Sequence, residues 1–208
     1  MKEILPGIYH WVARHPKIGI QVSSYYLAEE RVLIDPLVPP EGLDWFAKPP
    51  RHVLLTNRHH YRESGEFAAR FRCTVWCVES GLHEFKHGEK VEPFRFGDDL
   101  PGKVVAIEIG ALCPDETALH IPKGAGLVAL ADGVVRDDEG PLSFVPDKYM
   151  GDDPETVKAG LRKSYRRLLE REFDHLLLAH GWPWIGGGKR ALEEFIEVEP
   201  VQASVSFW

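Results

Sequence analysis

Residues 53 to 65 read VLLTNRHHYRESG, an apolar run that ends in a loop carrying His59, His60, Tyr61 and Arg62 before helix-like sequence resumes. Imidazoles placed just beyond a strand are metal ligands or proton carriers near neutral pH. Adjacent residues of a loop point in different directions, so one histidine is expected to face a site and the other solvent. The Tyr61 hydroxyl could donate to a substrate oxygen, although a tyrosine here more often packs its ring and leaves the hydroxyl wet. A second histidine pair, His83 and His87 in LHEFKHG, has the i, i+4 spacing that grips a metal on a helix, but no carboxylate motif accompanies it; both are expected at the surface. His52, His120 and His175 fall at strand edges or faces, where structural or surface roles are expected.

The elements around that loop form a regular order. IGIQVSSYYLA and RVLIDP are β-rich runs flanking Glu29-Glu30 as a hairpin, and PPEGLDWFAKPP is a short proline-bracketed helix. HVLLT is a buried strand. RESGEFAARF places Phe67 and Phe71 at helical spacing, and CTVWCV returns as a strand, which makes a βαβ unit with parallel pairing. The second half repeats the scheme: KVVAIEIG, TALHIP and GLVALADG as strands, a long helix opened by Asp153 and Pro154, DHLLLAHG as a strand and GKRALEEFIEV as a closing helix. Two β-rich halves of this kind suit two sheets packed face to face with helices outside.

Composition narrows the function classes. The 208 residues, 44% of them hydrophobic, are expected to form one domain over 1–208. A net charge of -7 gives no basic footprint for nucleic acid or an anionic bilayer, and no apolar run approaches the roughly 20 residues needed to span one. The start, MKEILPGIYHW, lacks the layout of a secretion signal, so a cytoplasmic protein acting on a small molecule is expected. Cys73 and Cys77 are separated by four residues of strand, roughly 13 Å, too far for a disulfide. With Cys113 they are expected to be small buried residues of a reducing compartment.

The order LPGIYHW, VLIDP, LLTNRHHYRESG, GLVALADG, LLLAHGWP resembles the metallo-β-lactamase superfamily over nearly the whole chain. The resemblance implies a four-layer αββα sandwich, two mixed sheets with helices outside. It also implies a site at the sheet edge where zinc or iron ions activate water against an ester, thioester, lactam or phosphoester. The family loop T-H-x-H-x-D-H falls on Thr56, Asn57, His59, Tyr61 and Arg62, so the resemblance keeps His59 and replaces the other ligands. Its third histidine falls on Leu112. The bridging carboxylate falls on Asp132 and the last histidine on His180; His60 falls on a variable position and is expected to face solvent. Cys113 or Asp115 could restore a ligand if the loop shifts.

Two readings follow. In one, the cleft is metal-free or metal-poor and binds a small anionic ligand through Asn57, His59, Tyr61, Arg62, Asp132 and His180. In that reading Arg62 pairs with Asp132, because a guanidinium in a ligand's place repels a cation. In the other, a single zinc or iron held by His59, Asp132 and His180 makes the protein a hydrolase of a small ester, thioester or lactone. Trp182 and Trp184, in HGWPWIGGG, either wall the cleft or pack under the last helix.

Overall fold

The computed structural model describes residues 1–197, so Val198, where the expected last helix ends, and the rest of the expected domain to 208 lie outside the described residues. The first sheet is built from β1 (Lys2–Leu5), β2 (Ile8–Arg14), β3 (Gln21–Leu27), β4 (Val32–Ile34), β5 (His52–Leu54), β6 (Thr74–Val78) and β7 (Val91–Phe94), in that spatial order. Pairing is antiparallel from β1 to β4 and parallel from β4 to β7. The crossover from β5 to β6 carries α1 (Ser64–Phe71), as the βαβ pattern requires.

The second sheet takes β8 (Asp99–Leu100), β9 (Val104–Glu108), β10 (Thr117–Ile121) and β11 (Leu127–Leu130). A hairpin of β12 (Val134–Arg136) and β13 (Leu142–Phe144) and helix α2 (Pro154–Leu168) follow. The chain then returns as β14 (His175–Leu178), parallel to β11, and ends in β15 (Trp184–Ile185) and α3 (Gly188–Glu197). Helix α2 starts where Asp153 accepts from the Thr156 amide at 3.1 Å, with Pro154 in the first turn, where its missing N–H costs nothing.

Strand alternation builds the layers. Leu127, Ala129 and Leu177 pack with Tyr25, Leu33 and Leu54 of the first sheet. Their neighbours Val128, Leu130, Leu176 and Leu178 turn the other way, onto Leu161, Tyr165 and Leu192 of α2 and α3. The fold class expected from the sequence therefore holds. One expected element differs: PPEGLDWFAKPP forms only a 3-10 turn at Leu43–Trp45, because Gly42, at φ 80°, stands outside the helical region ahead of it and Pro49 disfavours a helical Lys48 behind it.

The topology also fixes where a site can lie. The chain leaves β4 at Asp35, β5 at Thr56, β11 at Asp132 and β14 at His180, so four carboxyl-terminal strand ends meet at one edge of the sandwich.

Candidate functional site around His60

Asn57 opens the loop after β5 as the cap of a 3-10 turn, Arg58–Tyr61, its side-chain oxygen accepting from the His59 amide at 2.9 Å. That turn decides the two histidines against expectation. His59 is exposed, and His60 is buried, 4% exposed. His60 Nδ1 lies 2.9 Å from Asp35 Oδ2, and Nε2 lies 3.0 Å from Asp132 Oδ1. The Thr56 hydroxyl donates to Asp35 Oδ2 at 2.5 Å and its amide to Asp35 Oδ1 at 2.9 Å. His180 Nε2 lies 2.8 Å from the same Asp132 Oδ1, and the Asn57 amide group donates to Oδ2 at 2.8 Å.

Both ring nitrogens of His60 thus face carboxylates, which only accept, so both carry hydrogen and the ring is an imidazolium. Burial works against that charge, but the carboxylates of Asp132 and Asp35 outweigh it and hold the pKa up at about 9. The same contacts act in reverse on the acids. Burial alone would raise Asp132, yet His60 and the hydrogen bond from His180 hold its carboxyl well below the usual range, and His60, Arg62 and Thr56 lower Asp35.

Arg62 is not paired with Asp132 as the sequence suggested. Its NH1 donates to the carbonyls of Ser23 and Asp35, both at 2.6 Å, and its NH2 to Ala179 at 3.4 Å. One guanidinium therefore ties together β3, the strand end bearing Asp35 and the strand end bearing His180. Arg62 and Asp35 also share an unusual backbone, with φ of 45° and 47°. A left-handed conformation in a residue other than glycine is strained, and such strain persists where surrounding contacts over-determine it.

The loop at His180 is pinned from the first sheet. The Ser23 amide donates to Ala179 at 3.0 Å, its hydroxyl to Gly181 at 2.7 Å and Tyr25 to Leu178 at 2.8 Å. Since the Ser23 hydrogen points at Gly181, His10 Nε2, 2.9 Å from Ser23 Oγ, is the donor there. Burial, with Lys2 and the amino terminus, lowers the His10 pKa to about 4, so this ring is neutral. Gly181 has φ of 93°, and a Cβ there would sit 1.7 Å from the Arg136 carbonyl; the chain after His180 admits only glycine.

The remaining expected residues are placed as follows. Tyr61 packs its ring on Phe85 and is partly buried at the cleft wall. Asn57, fully buried, is an internal donor rather than a ligand contact. Asp115 is held by the Arg58 guanidinium and, at 2.7 Å, by the Arg58 amide, so it is committed elsewhere. Cys113 lines the cleft, and burial with the Asp115 and Glu116 carboxylates pushes its thiol up to about 12, which keeps it from acting as a thiolate. Leu112 lines the cleft, and its amide and that of Gly133 donate to buried Glu116, which burial raises to about 7. His83 and His87 are exposed and sit on no α-helix. His52, His120 and His175 make local hydrogen bonds with Trp76, Glu172 and Gly186, as their strand positions implied. Trp182 walls the cleft, and Trp184 packs under the Arg136 guanidinium and with the α2 and α3 core.

Sequence reasoning missed His60, Asp35, Thr56 and Ser23. Asp35 left a signal as the carboxylate closing the buried strand VLI, Thr56 as the first residue of the matched loop and His60 as one of two adjacent histidines there; Ser23 left none.

Comparison with solved structures identifies the architecture. Over 94% of this chain and 95% of the other, it superposes on a metallo-β-lactamase from Erythrobacter litoralis with β-mercaptoethanol in the active site, at TM-score 0.66 and 13% identity. An archaeal metallo-β-lactamase superfamily protein from Sulfolobus tokodaii matches 97% of this chain and 91% of its own at TM-score 0.62 and 13% identity. A metallo-β-lactamase family protein from Thermus thermophilus matches 92% and 79% at TM-score 0.63 and 16% identity. No family model and no curated protein matches the sequence. The chain has the metallo-β-lactamase fold.

Proposed function

We propose that the cleft binds a small molecule with an apolar body and an anionic head group and does so without a resident metal, Lys17 and Lys148 on its walls supplying the positive charge. The observation that carries this reading is His60 between Asp35 and Asp132, a cation whose two sides are already met by carboxylates.

His60, Asp132 and His180 are the one group among the described residues with three metal-ligating side chains, their ligand atoms within 4.8 Å of one another. As arranged, they are hydrogen-bonded to one another. Ligand atoms bound at about 2.0–2.1 Å in a tetrahedron stand about 3.3 Å apart, whereas the two ring nitrogens lie 2.8 and 3.0 Å from Asp132 Oδ1, at hydrogen-bond distance. Three donors are also too few for two ions.

Above this floor the cleft is large, about 1430 Å³. Of the five exposed large hydrophobic residues among those described, four line it: Ile18, Ile20, Tyr149 and Trp182. Exposed apolar groups gathered on one concave surface mark a binding site better than the same groups scattered. Lys17 and Lys148 stand on the same walls and supply cations for a negative head group, with Glu84, Glu89, Asp137 and Asp138 set around them.

A second reading, a mononuclear hydrolase, keeps one supporting observation. Asp35 on Nδ1 of His60 is the placement by which an outer carboxylate orients a ligating histidine. In that reading His60, not His59, joins Asp132 and His180. One set of measurements separates the two. Protein purified without chelator is expected to hold well under one zinc or iron per chain, and decanoate or decyl phosphate, but not decanol, is expected to raise its melting temperature. Stoichiometric metal retained through dialysis would overturn the metal-free reading in favour of the second, and equal effects of decanol and decanoate would remove the anion from the first.

A further inference from the structure

The strands that end at the site begin at a different one. Arg31 precedes β4, Arg51 precedes β5, and Arg72 stands two residues before β6. Parallel pairing sets Val32 beside His52 and His52 beside Thr74. The Arg31 carbonyl accepts from the Arg51 amide at 2.8 Å, and the Arg51 carbonyl from the Thr74 amide at 2.9 Å. Neighbouring strands are about 4.8 Å apart, so the sheet itself brings these arginines side by side. Arg70, in the last turn of α1, completes a ring of four around a depression of about 500 Å³. Its walls include Leu43, Phe46 and Phe71.

The guanidinium groups there are largely uncommitted. Arg31 gives only its Nε to the Pro49 carbonyl, at 2.7 Å, and Arg70 meets Asp44 at 3.0 Å in an exposed pair. Arg51 and Arg72 have no side-chain hydrogen bond or ion pair among the described residues. Arg31 and Arg72 both sit at φ of 59°, where glycine or asparagine would be unstrained. Four like charges with one carboxylate among them, on a chain of net charge -7, form a local field opposite to that of the whole molecule. His52 reports that field: burial, then Arg51 and Arg31, lower its pKa.

We propose that this depression is a binding site for a small polyanion carrying two or more linked phosphate groups. A single carboxylate satisfies one guanidinium fork, whereas linked phosphates offer enough oxygens and charge to engage three or four. The apolar wall seats whatever the phosphates are attached to. The site lies at the opposite ends of β4 and β5 from His60 and is independent of what the cleft does.

The test is calorimetric titration of the full chain with tripolyphosphate, pyrophosphate and citrate at matched ionic strength. Tripolyphosphate is expected to bind more tightly than pyrophosphate, and citrate at least about tenfold more weakly. The double variant Arg51→Ala/Arg72→Ala changes exposed side chains and keeps the fold, checked by its melting temperature. It is expected to weaken tripolyphosphate by about 30-fold or more. His180→Ala, in the cleft, is expected to leave that affinity unchanged. Saturation absent up to about 1 mM at physiological salt, citrate binding as well as tripolyphosphate, or equal loss in His180→Ala would each overturn the proposal.

Discussion

At the carboxyl-terminal ends of β4 and β5 the chain buries charges of both signs and gives each a partner; at the amino-terminal ends of the same strands it exposes charges of one sign and leaves them largely unpaired. Asp35, His60, Asp132 and Arg62 form a closed set in which each group is held by the others or by main-chain carbonyls. Among Arg31, Arg51, Arg70 and Arg72, only Arg70 meets a carboxylate, that of Asp44. Burial makes the difference: a charge out of water needs a partner in place, while an exposed one is solvated without any. Removing one member should therefore be costly at the first end and nearly free at the second.

The largest effect is expected for Asp35→Ala, which strips a buried carboxylate from His60 and Thr56. A loss of about 3–5 kcal/mol in denaturant unfolding is expected; a loss under about 1 kcal/mol would show that the first end is no closed set. Next comes Arg62→Met, which takes a donor from three carbonyls but leaves Asp35 that of the Ser24 hydroxyl and Ala179 that of the Ser23 amide, and is expected to cost about 1–3 kcal/mol. A wet cleft, in which water replaces the guanidinium, would show itself as a much smaller loss.

The pH dependence is third. His60 has a folded pKa of about 9 against an ordinary 6.5, so the folded chain keeps the extra proton across that window. Its contribution is complete below about pH 6.5 and is lost as pH rises toward 9, up to about 3 kcal/mol. Glu116, raised from 4.5 to about 7, also favours the protonated folded state and loses stability between those values, while His10, lowered to about 4, works oppositely between 4 and 6.5. Between about pH 7 and 8 the decline belongs to His60, with the raised thiols of Cys73, Cys77 and Cys113 adding to it at higher pH, and His60→Gln should flatten that first part; an unchanged slope there would refute the imidazolium assignment. The smallest effects are expected for His59→Ala and Arg51→Ala, each under about 0.5 kcal/mol, since both side chains are exposed. A larger loss at Arg51 would mean that the second end also supports the fold.

Much of this was legible in the residues. The continuous apolar runs LVAL and HLLL, buried along their whole length, the strand–helix–strand run from His52 to Val78 and the cap at Asp153 follow from local physics, because residues of a strand covered on both faces are apolar throughout and amide pairing at a helix start is set by near neighbours. The resemblance to the metallo-β-lactamase superfamily carried by Asp132 and His180, each two residues beyond a strand, implied a site at one sheet edge. Which of two adjacent histidines enters it was not legible. A 3-10 turn capped by Asn57 turns His60 inward, and the carboxylates that receive it stand 25 and 72 residues away. The partners of Arg62 were hidden for the same reason: they are main-chain carbonyls 27, 39 and 117 residues distant, and a carbonyl has no letter in the sequence. The sequence determined the strands and the edge at which they end; only the packed structure decided which charges meet there, because that depends on side-chain directions and backbone groups brought together from segments far apart in the chain.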